Sequence, residues 1–518
     1  MKALRRLVAQ FRHTRHDILV KTQATAAAAV APADVVTKDV KPFETIPGPK
    51  GIYSWTRFSA RLHFKPFTNF EPSTIHQLFD HLHDKYGPVV KTRMGTWTVY
   101  VEDPTDIETV FRNEGRMPIR PLPHLHVHYC KTRGIIPGLA SMQNEEWFNL
   151  RRAVNARLMK PNSALRYLAA QNEVADDLIR KLTNHNFTPD ELQNEFFKYA
   201  SESICVVAFN KRQGLLDSNM EKNADELFDK IRLFFDLFMK GFHAPPLFFG
   251  TFETPLCKQY SRVVDYIRER VGGLLCEAIE DLKQKEKMGQ LDLKEPTFLT
   301  SLLAHGTFGM AEIEMIVLDL FIAGTDSTAK NLQVFLYNIA RHPDKQQKLF
   351  DEIHSVMGDS GPLTEDHMGK LGYLKACLRE SFRFIYPTAS GTGRIIPKDL
   401  VLGGYNVPAG TLIVMNNQRS VRNKKYFDRP DEFIPERWIR DEDGNRKRMI
   451  PPMALLPFGF GPRNCLGRRF AEQEIYLAAI KLIQKFKIEL EPNHEDLEVE
   501  YFTFVSPTQP VRFKFTRR

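Results

Sequence analysis

The run from about Ala311 to Arg341, closed by Pro343, constrains the fold more than any other stretch of this 518-residue chain. Its apolar residues recur with a helical period. At 1.5 Å per residue such a helix is roughly 45 Å long, enough to cross a whole domain. Its centre reads Ala323-Gly324-Thr325-Asp326-Ser327-Thr328. A glycine in mid-helix costs about 1 kcal/mol relative to alanine, and hydroxyl side chains there bond back to the preceding turn and loosen it. The helix is therefore weakest at its middle, and such a defect points to function. Ala169 to Leu182, Ala224 to Met239 and Tyr260 to Gln284 repeat the 3.6 period, whereas Val89 to Val101 alternates like a strand pair turning at Met94-Gly95.

A second feature is Phe458-Gly459-Phe460-Gly461-Pro462-Arg463-Asn464-Cys465-Leu466-Gly467, which sets one cysteine in a glycine-rich loop ahead of a helix-forming run. The free N–H groups and positive end of a helix starting near Leu466 face the sulfur and favour a thiolate and a metal–sulfur bond. Gly461 and Gly467 let the backbone approach a flat cofactor, Phe458 covers the sulfur, and Arg463 stands where it meets an anionic group. The spacing F-x-x-G-x-R-x-C-x-G resembles the haem-binding loop of the cytochrome P-450 superfamily, in which the cysteine is the axial thiolate of the haem iron. The resemblance covers roughly residues 45 to 515. It implies a mainly α protein with small β-sheets, one large domain over residues 46–518, and haem b held between the long central helix and the cysteine loop, with Cys465 on the metal.

Further constellations carry the same resemblance. Glu380-Ser381-Phe382-Arg383 puts a carboxylate and a guanidinium at i,i+3 on one helix face, by itself a common surface pair worth about a few tenths of a kcal/mol. Pro435-Glu436-Arg437-Trp438 resembles the family's P-E-R-W segment, so Glu380, Arg383 and Arg437 are expected to hold the loop behind the haem. Pro387 falls four residues after Arg383, one more than the family spacing, and this insertion is expected to shift the following strand. Trp147 and Arg151 share a helix face at i,i+4 and stand where the family clamps a haem propionate; Arg394 and Arg463 match two further propionate arginines. The centre of the long helix resembles the oxygen-binding groove A-G-x-D/E-T-T/S, which makes Asp326 with Ser327 or Thr328 the expected proton relay. Serine at the usual threonine position keeps the hydroxyl and loses the methyl that stiffens its rotamer. Phe321, Ala323, Thr388, Ala389 and Phe504 are expected to line the substrate pocket.

Residues 1–33 carry six Lys/Arg and one acid, Asp17, with Leu4, Leu7, Val8 and Phe11 in one helical arc. An amphipathic, acid-poor leader reads as a mitochondrial presequence, so residues 1–45 are assigned to presequence and linker. No apolar run near 18 residues occurs there, unlike the single-span anchor of reticular family members. The net charge of +9 fits nucleic acid, anionic lipid or an acidic partner. No nucleic-acid motif appears. Lys375 and Arg379 before Glu380, with Arg468 and Arg469 after Cys465, resemble the mitochondrial class, in which such residues dock an adrenodoxin-type [2Fe–2S] ferredoxin fed by an NADPH-dependent reductase. Seven phenylalanines between Phe234 and Phe252, with Pro245 to Phe249 as the most apolar loop, suggest peripheral contact with a membrane, on the matrix side of the inner mitochondrial membrane. Six cysteines occur singly, so neither zinc nor a disulfide framework is indicated. His124, His126 and His128 are placed on one strand face, a metal reading weakened by the lack of a nearby Cys, Asp or Glu. The expected activity is hydroxylation of a lipophilic, steroid-like or xenobiotic substrate with O2. A haem-thiolate isomerase or dehydratase has no need of the acid–hydroxyl pair, and a haem sensor or carrier would need an output domain.

Overall fold

The computed structural model describes residues 40–50, 63–65 and 67–518, apart from 95, 218–220, 244–252, 292–295, 305, 307, 359–361, 390, 440–448 and 493–495. The leader and the Pro245 to Phe249 segment lie outside the described residues.

Ten helices position the site: α1 Pro104–Asn113, α2 His124–Arg133, α3 Asn144–Leu158, α4 Leu168–Asn184, α5 Pro189–Phe209, α6 Glu221–His243, α7 Pro255–Lys287, α8 Met310–Arg341, α9 Gly372–Phe384 and α10 Arg468–Lys485. The helix α8, 32 residues long, is the central rod. Apolar residues surround it, so it is buried on nearly all sides from Phe321 to Ala340. It ends at His342 because Pro343 cannot continue the ladder. α5 packs along α8, and it starts at a capping box in which Thr188 and Glu191 satisfy each other's backbone N–H, with Pro189 in the first turn. The two rods pass close together at Gly324, where a Cβ would stand 2.9 Å from Ile204 of α5. The mid-helix glycine read as a defect is thus also a packing requirement.

The strand pair expected at Val89 to Val101 is present as β1 (Val89–Met94) and β2 (Thr96–Val101), antiparallel. β2 pairs in parallel with β6 (Leu412–Met415), which pairs antiparallel with β3 (Thr392–Ile395). This sheet and its small core sit beside the helical body. Further pairs join β4 (Leu400–Leu402) to β5 (Tyr405–Val407), β7 (Phe486–Leu490) to β10 (Phe513–Arg517) and β8 (Val499–Tyr501) to β9 (Val505–Pro507). The mainly α class with small sheets is as the sequence implied.

One local expectation fails. His124 to His128 belongs to α2, so the period-2 histidines do not share a face. His126 turns inward to the Tyr260 hydroxyl at 2.7 Å, and no group of His, Cys, Asp or Glu able to hold a metal occurs among the described residues.

Candidate active site

The cysteine loop is built by short local bonds: Gly459 N–H donates to the Leu456 carbonyl, Asn464 N–H to Gly461, and Cys465 N–H to Phe458 at 2.9 Å. Gly459 and Gly461 have φ of 69° and 75°, in the left-handed region that glycine adopts without strain. The Phe458 ring packs edge-on against Phe382 of α9. α10 begins three residues after Cys465, and the N–H groups of Gly467 and Arg468 point at the sulfur. Burial is the largest influence and pushes the thiol above its ordinary value; those N–H groups and the Arg151 and Arg120 guanidiniums pull it down. The sequence expectation of a lowered value therefore describes the helix end and not the net balance. A metal bound to this sulfur would supply the rest, since a thiol on a metal is deprotonated outright. Protein atoms crowd the Cys465 thiol, yet the residue as a whole is exposed.

On α8, Ala323 is exposed and Leu320, Gly324 and Ser327 are half-buried, while Phe321, Ile322, Thr325, Asp326 and Thr328 are buried. The spacing i, i+3, i+4, i+7 defines one open face in the middle of an otherwise enclosed helix. Ser327 lies on it, and its hydroxyl bonds back to the Ala323 carbonyl at 2.7 Å, while Asn331 Nδ2 reaches the Ser327 carbonyl. Asp326 lies on the side away from this face. Its Oδ2 accepts from Lys330 Nζ at 2.9 Å, and its buried Oδ1 has no partner. Lys330 in turn lines a cavity of about 430 Å³ shared with Arg232, Asp190 and Asp236. Two expectations are corrected here. Thr328 turns away from the open face and is buried beside Glu474 of α10, which also accepts from Gln171 at 3.0 Å. Phe321 is fully buried against Phe209 of α5, a core residue and not a pocket wall. Of the other expected pocket residues, Thr388 bridges to Phe504 and the Phe504 ring meets Phe235 of α6. Ala389 is nearly buried in the small core with Val334 and Tyr501.

The cation cluster forms beside the cysteine loop. Trp147 Nε1, Arg151 Nε and Arg394 Nη2 are all buried and without a hydrogen-bond partner. Buried donors of this kind cost free energy unless something accepts from them. Arg151 Nη2 is fixed by the Asn464 carbonyl at 2.6 Å, and Arg394 by Glu114. The extra residue before Pro387 leaves Arg394 on β3 and inside this cluster. Arg463 differs from the expectation: Nε donates to the Pro118 carbonyl, Nη1 to Leu139, and Nη2 to Met142 and Gln143. It stacks 3.7 Å from the Trp147 ring centroid. It therefore ties the loop to the 118–143 segment with its own donors satisfied. Arg120 and Glu114, which no motif singled out, stand in the same cluster. Four partnerless buried donors, on Arg120, Trp147, Arg151 and Arg394, fit a ligand carrying carboxylates, as haem does.

Asp319, one turn before Ala323, clasps the same segment from the other side. Its Oδ2 accepts from Leu139 N–H at 2.6 Å, and a Cβ on Gly138 would collide with its carboxylate. Burial pushes its carboxyl up to about 6, with the Leu139 and Ala140 N–H groups opposing. The folded state thus holds this proton more tightly than the unfolded chain does. Stability from this group falls as pH rises from about 4 to 6, by roughly 2–3 kcal/mol. Asp319→Asn removes that slope, so its Tm relative to wild type is expected to climb through that window and then level. A pH-independent difference would refute the assignment.

Behind the loop, Glu380 is fully buried and accepts from Arg383 Nε and Nη2, Arg437 Nε, Trp438 Nε1 and the Ile434 N–H, all at 2.8–3.0 Å. The i,i+3 pair that reads as surface chemistry in sequence is a buried network. On the outer face, Lys375, Arg379 and Arg468 are exposed and Arg469 is half-buried. Arg379 lies 4.2 Å over the Trp438 ring, Arg468 pairs with Glu472 at 3.1 Å, and Arg379 and Arg468 both act on Tyr476. No helix among the described residues is long and apolar enough to cross a membrane.

Comparison with known proteins agrees with this geometry. The cytochrome P450 family model matches residues 57–515. The probable mitochondrial cytochrome P450 12a5 of Drosophila melanogaster is 32% identical over 507 residues, 92% of this chain and 91% of that protein. The probable cytochrome P450 CYP44 of Caenorhabditis elegans is 30% identical over 487 residues, 92% and 94% of the two chains. Cytochrome P450 27C1 of Danio rerio is 28% identical over 506 residues, 95% and 90%. Residues converging on one cysteine and a match along nearly the whole chain lead to one conclusion: this chain belongs to the cytochrome P450 family and is a monooxygenase whose haem iron is bound by a thiolate.

Proposed function

We propose that the chain is a mitochondrial monooxygenase that hydroxylates a lipophilic, steroid-like or xenobiotic substrate, with Cys465 as the iron ligand and an adrenodoxin-type ferredoxin as electron donor. The observation that carries the reading is the exposed residue Cys465 at a helix start, with partnerless buried donors from Trp147, Arg151 and Arg394 in the neighbouring cation cluster. Bound haem supplies oxygen activation: O2, two electrons and two protons convert a C–H bond to C–OH and release water. The protein's part is to hold and to deliver. Trp147, Arg151 and Arg394 hold the cofactor's carboxylates, and Arg463 and Glu380 fix the loop that carries Cys465. Ser327 Oγ, the hydroxyl on the open face of α8, would hand a proton on there and regain one from solvent; Asp326 would carry that proton inward only after Lys330 leaves Oδ2 and the freed carboxylate takes up a proton from water. Ala323, Thr388 and Phe504, with Phe235, offer an apolar wall to the substrate.

The relatives named as mitochondrial support the compartment, and the basic, acid-poor residues 1–33 support it independently. Residues 1–45 fused to a soluble reporter are expected to carry it to mitochondria; a cytosolic or reticular reporter would defeat this part. Peripheral attachment to the matrix side of the inner membrane rests on the phenylalanine-rich segment.

Electron input is assigned to Lys375, Arg379, Arg468 and Arg469. Lys375→Glu is expected to raise the ferredoxin concentration for half-maximal rate about tenfold, an effect that fades with salt, and to leave substrate binding unchanged. Driving the same variant with peroxide should restore wild-type turnover. Equal loss in both assays would mean that Lys375 serves the fold. Substrate loss that depends on ferredoxin and NADPH is the test of the whole reading, because neither an isomerase nor a carrier requires them.

A further inference from the structure

We propose that Asn331 is a positioning residue for the open face of α8: its side-chain amide seals the backbone carbonyl of Ser327 against water and so keeps the Ser327 hydroxyl in place. The inference rests on the reading of Ser327 as the hydroxyl that serves this face.

Asn331 stands one turn after Ser327, at the end of the stripe that runs through Leu320, Ala323, Gly324 and Ser327. Asparagine is a poor choice for a helix interior, because its amide competes for backbone groups. Here it is buried all the same, at 9% exposure. A buried amide needs a partner, and Asn331 Nδ2 finds one in the Ser327 carbonyl at 2.7 Å. Ser327 repeats the move one turn earlier, its Oγ donating to the Ala323 carbonyl at 2.7 Å. Side chains lean toward the N-terminus of a helix, which is why a side chain meets the carbonyl four residues back.

The two bonds matter because a carbonyl oxygen has two lone pairs. Within an α-helix the N–H four residues on takes one of them, and α8 is helical throughout Met310–Arg341. On an open face the second lone pair is a seat for water, and water inserted into the ladder is one of the few causes of a sharp helix bend. The opposite side of the same turn is held by α5. There Ser201 Oγ donates to Thr325 Oγ1 at 3.1 Å, and Ile204 packs where a Cβ on Gly324 would stand. α8 is thus pinned on its buried side and opens only toward the free stripe. Asn331 and Ser327 fill the second lone pairs of the Ser327 and Ala323 carbonyls in series. With the amide gone, water would take its seat, the rung between Ser327 and Asn331 would lengthen, and the Ser327 hydroxyl would share the face with a solvent molecule.

The test uses haem-loaded enzyme and needs neither substrate nor ferredoxin. Asn331→Thr restores a donor, since a threonine hydroxyl bonds the carbonyl four residues back, whereas Asn331→Val has the same shape without it. One readout is hydrogen exchange of α8 peptides spanning residues 327–335, followed by mass spectrometry. The other is the C–O stretch of carbon monoxide on the dithionite-reduced iron, which senses hydrogen-bond donors around the probe. Asn331→Val is expected to exchange about tenfold faster at those amides, and to move and broaden the C–O band, with a further shift in D2O. Asn331→Thr should match wild type in both. If Asn331→Val does not accumulate as holoenzyme, Asn331→Ala takes its place with the same expectation. Wild-type exchange in Asn331→Val, or exchange in Asn331→Thr as fast as in Asn331→Val, would overturn the seal. Faster exchange with an unchanged C–O band would overturn the positioning role. Ser327→Ala separates this inference from the reading beneath it. A wild-type C–O band in Ser327→Ala would remove Ser327 from the open-face site, whereas a shifted band there, with wild-type exchange and band in Asn331→Val, would overturn the role of Asn331 alone.

Discussion

Cys465→His is expected to lose the strongly red-shifted Soret band of the ferrous–CO complex and to lower turnover by at least about a thousandfold, roughly 4 kcal/mol of barrier. Burial works against a charged sulfur at Cys465, and the groups around it offset part of that cost. The N–H groups of Gly467 and Arg468 and the guanidiniums of Arg151 and Arg120 all favour negative charge at this atom, and a neutral imidazole takes none of that stabilisation. Nor does it push electron density onto the iron as a thiolate does. The α10 start and the Cys465 N–H bond to the Phe458 carbonyl belong to the backbone, so the loop itself should survive. Absorbance of the CO complex and single-turnover rates read the two effects separately. Retention of both by the variant would sink the assignment of Cys465.

Glu380→Ala is expected to cost about 3–5 kcal/mol and to abolish accumulation of haem-loaded protein, because it strands the buried Arg383 and the half-buried Arg437. Five donors converge on this one carboxylate, two from Arg383 and one each from Arg437, Trp438 and Ile434. Arg383 also reaches the carbonyls of Val421, Pro430 and Glu432, so the network ties α9 to the segment that leads to the cysteine loop. Replacing Glu380, Arg383 and Arg437 together by leucine and methionines should cost less than the single change, since no unpaired charge is then left inside. Thermal unfolding and haem content are the readouts. A single variant within about 1 kcal/mol of wild type would refute the network's role.

What the sequence could determine alone was local. The cysteine loop, the Glu380–Arg383 pair, the Trp147–Arg151 pair and the long helix are each specified within a few residues, where backbone geometry fixes which side chains meet. The β1–β2 pair was legible for the same reason. The histidine run was not, because a five-residue alternation is too short to outweigh the helix that its neighbours form.

Only the tertiary structure could decide what faces what. α8 is apolar on nearly every side, so periodicity cannot tell which stripe is left open. Packing against α5 and α10 buries Phe321 and Thr328 and leaves Leu320, Ala323, Gly324 and Ser327. Arg120 meets the carbonyl of a residue 343 positions away, and Glu114 meets Arg394 across 280. Arg463, the motif's own arginine, has its donors on segment 118–143. Contacts between such distant groups depend on how rigid elements stack around one core, and that stacking lies beyond any pattern in the chain itself.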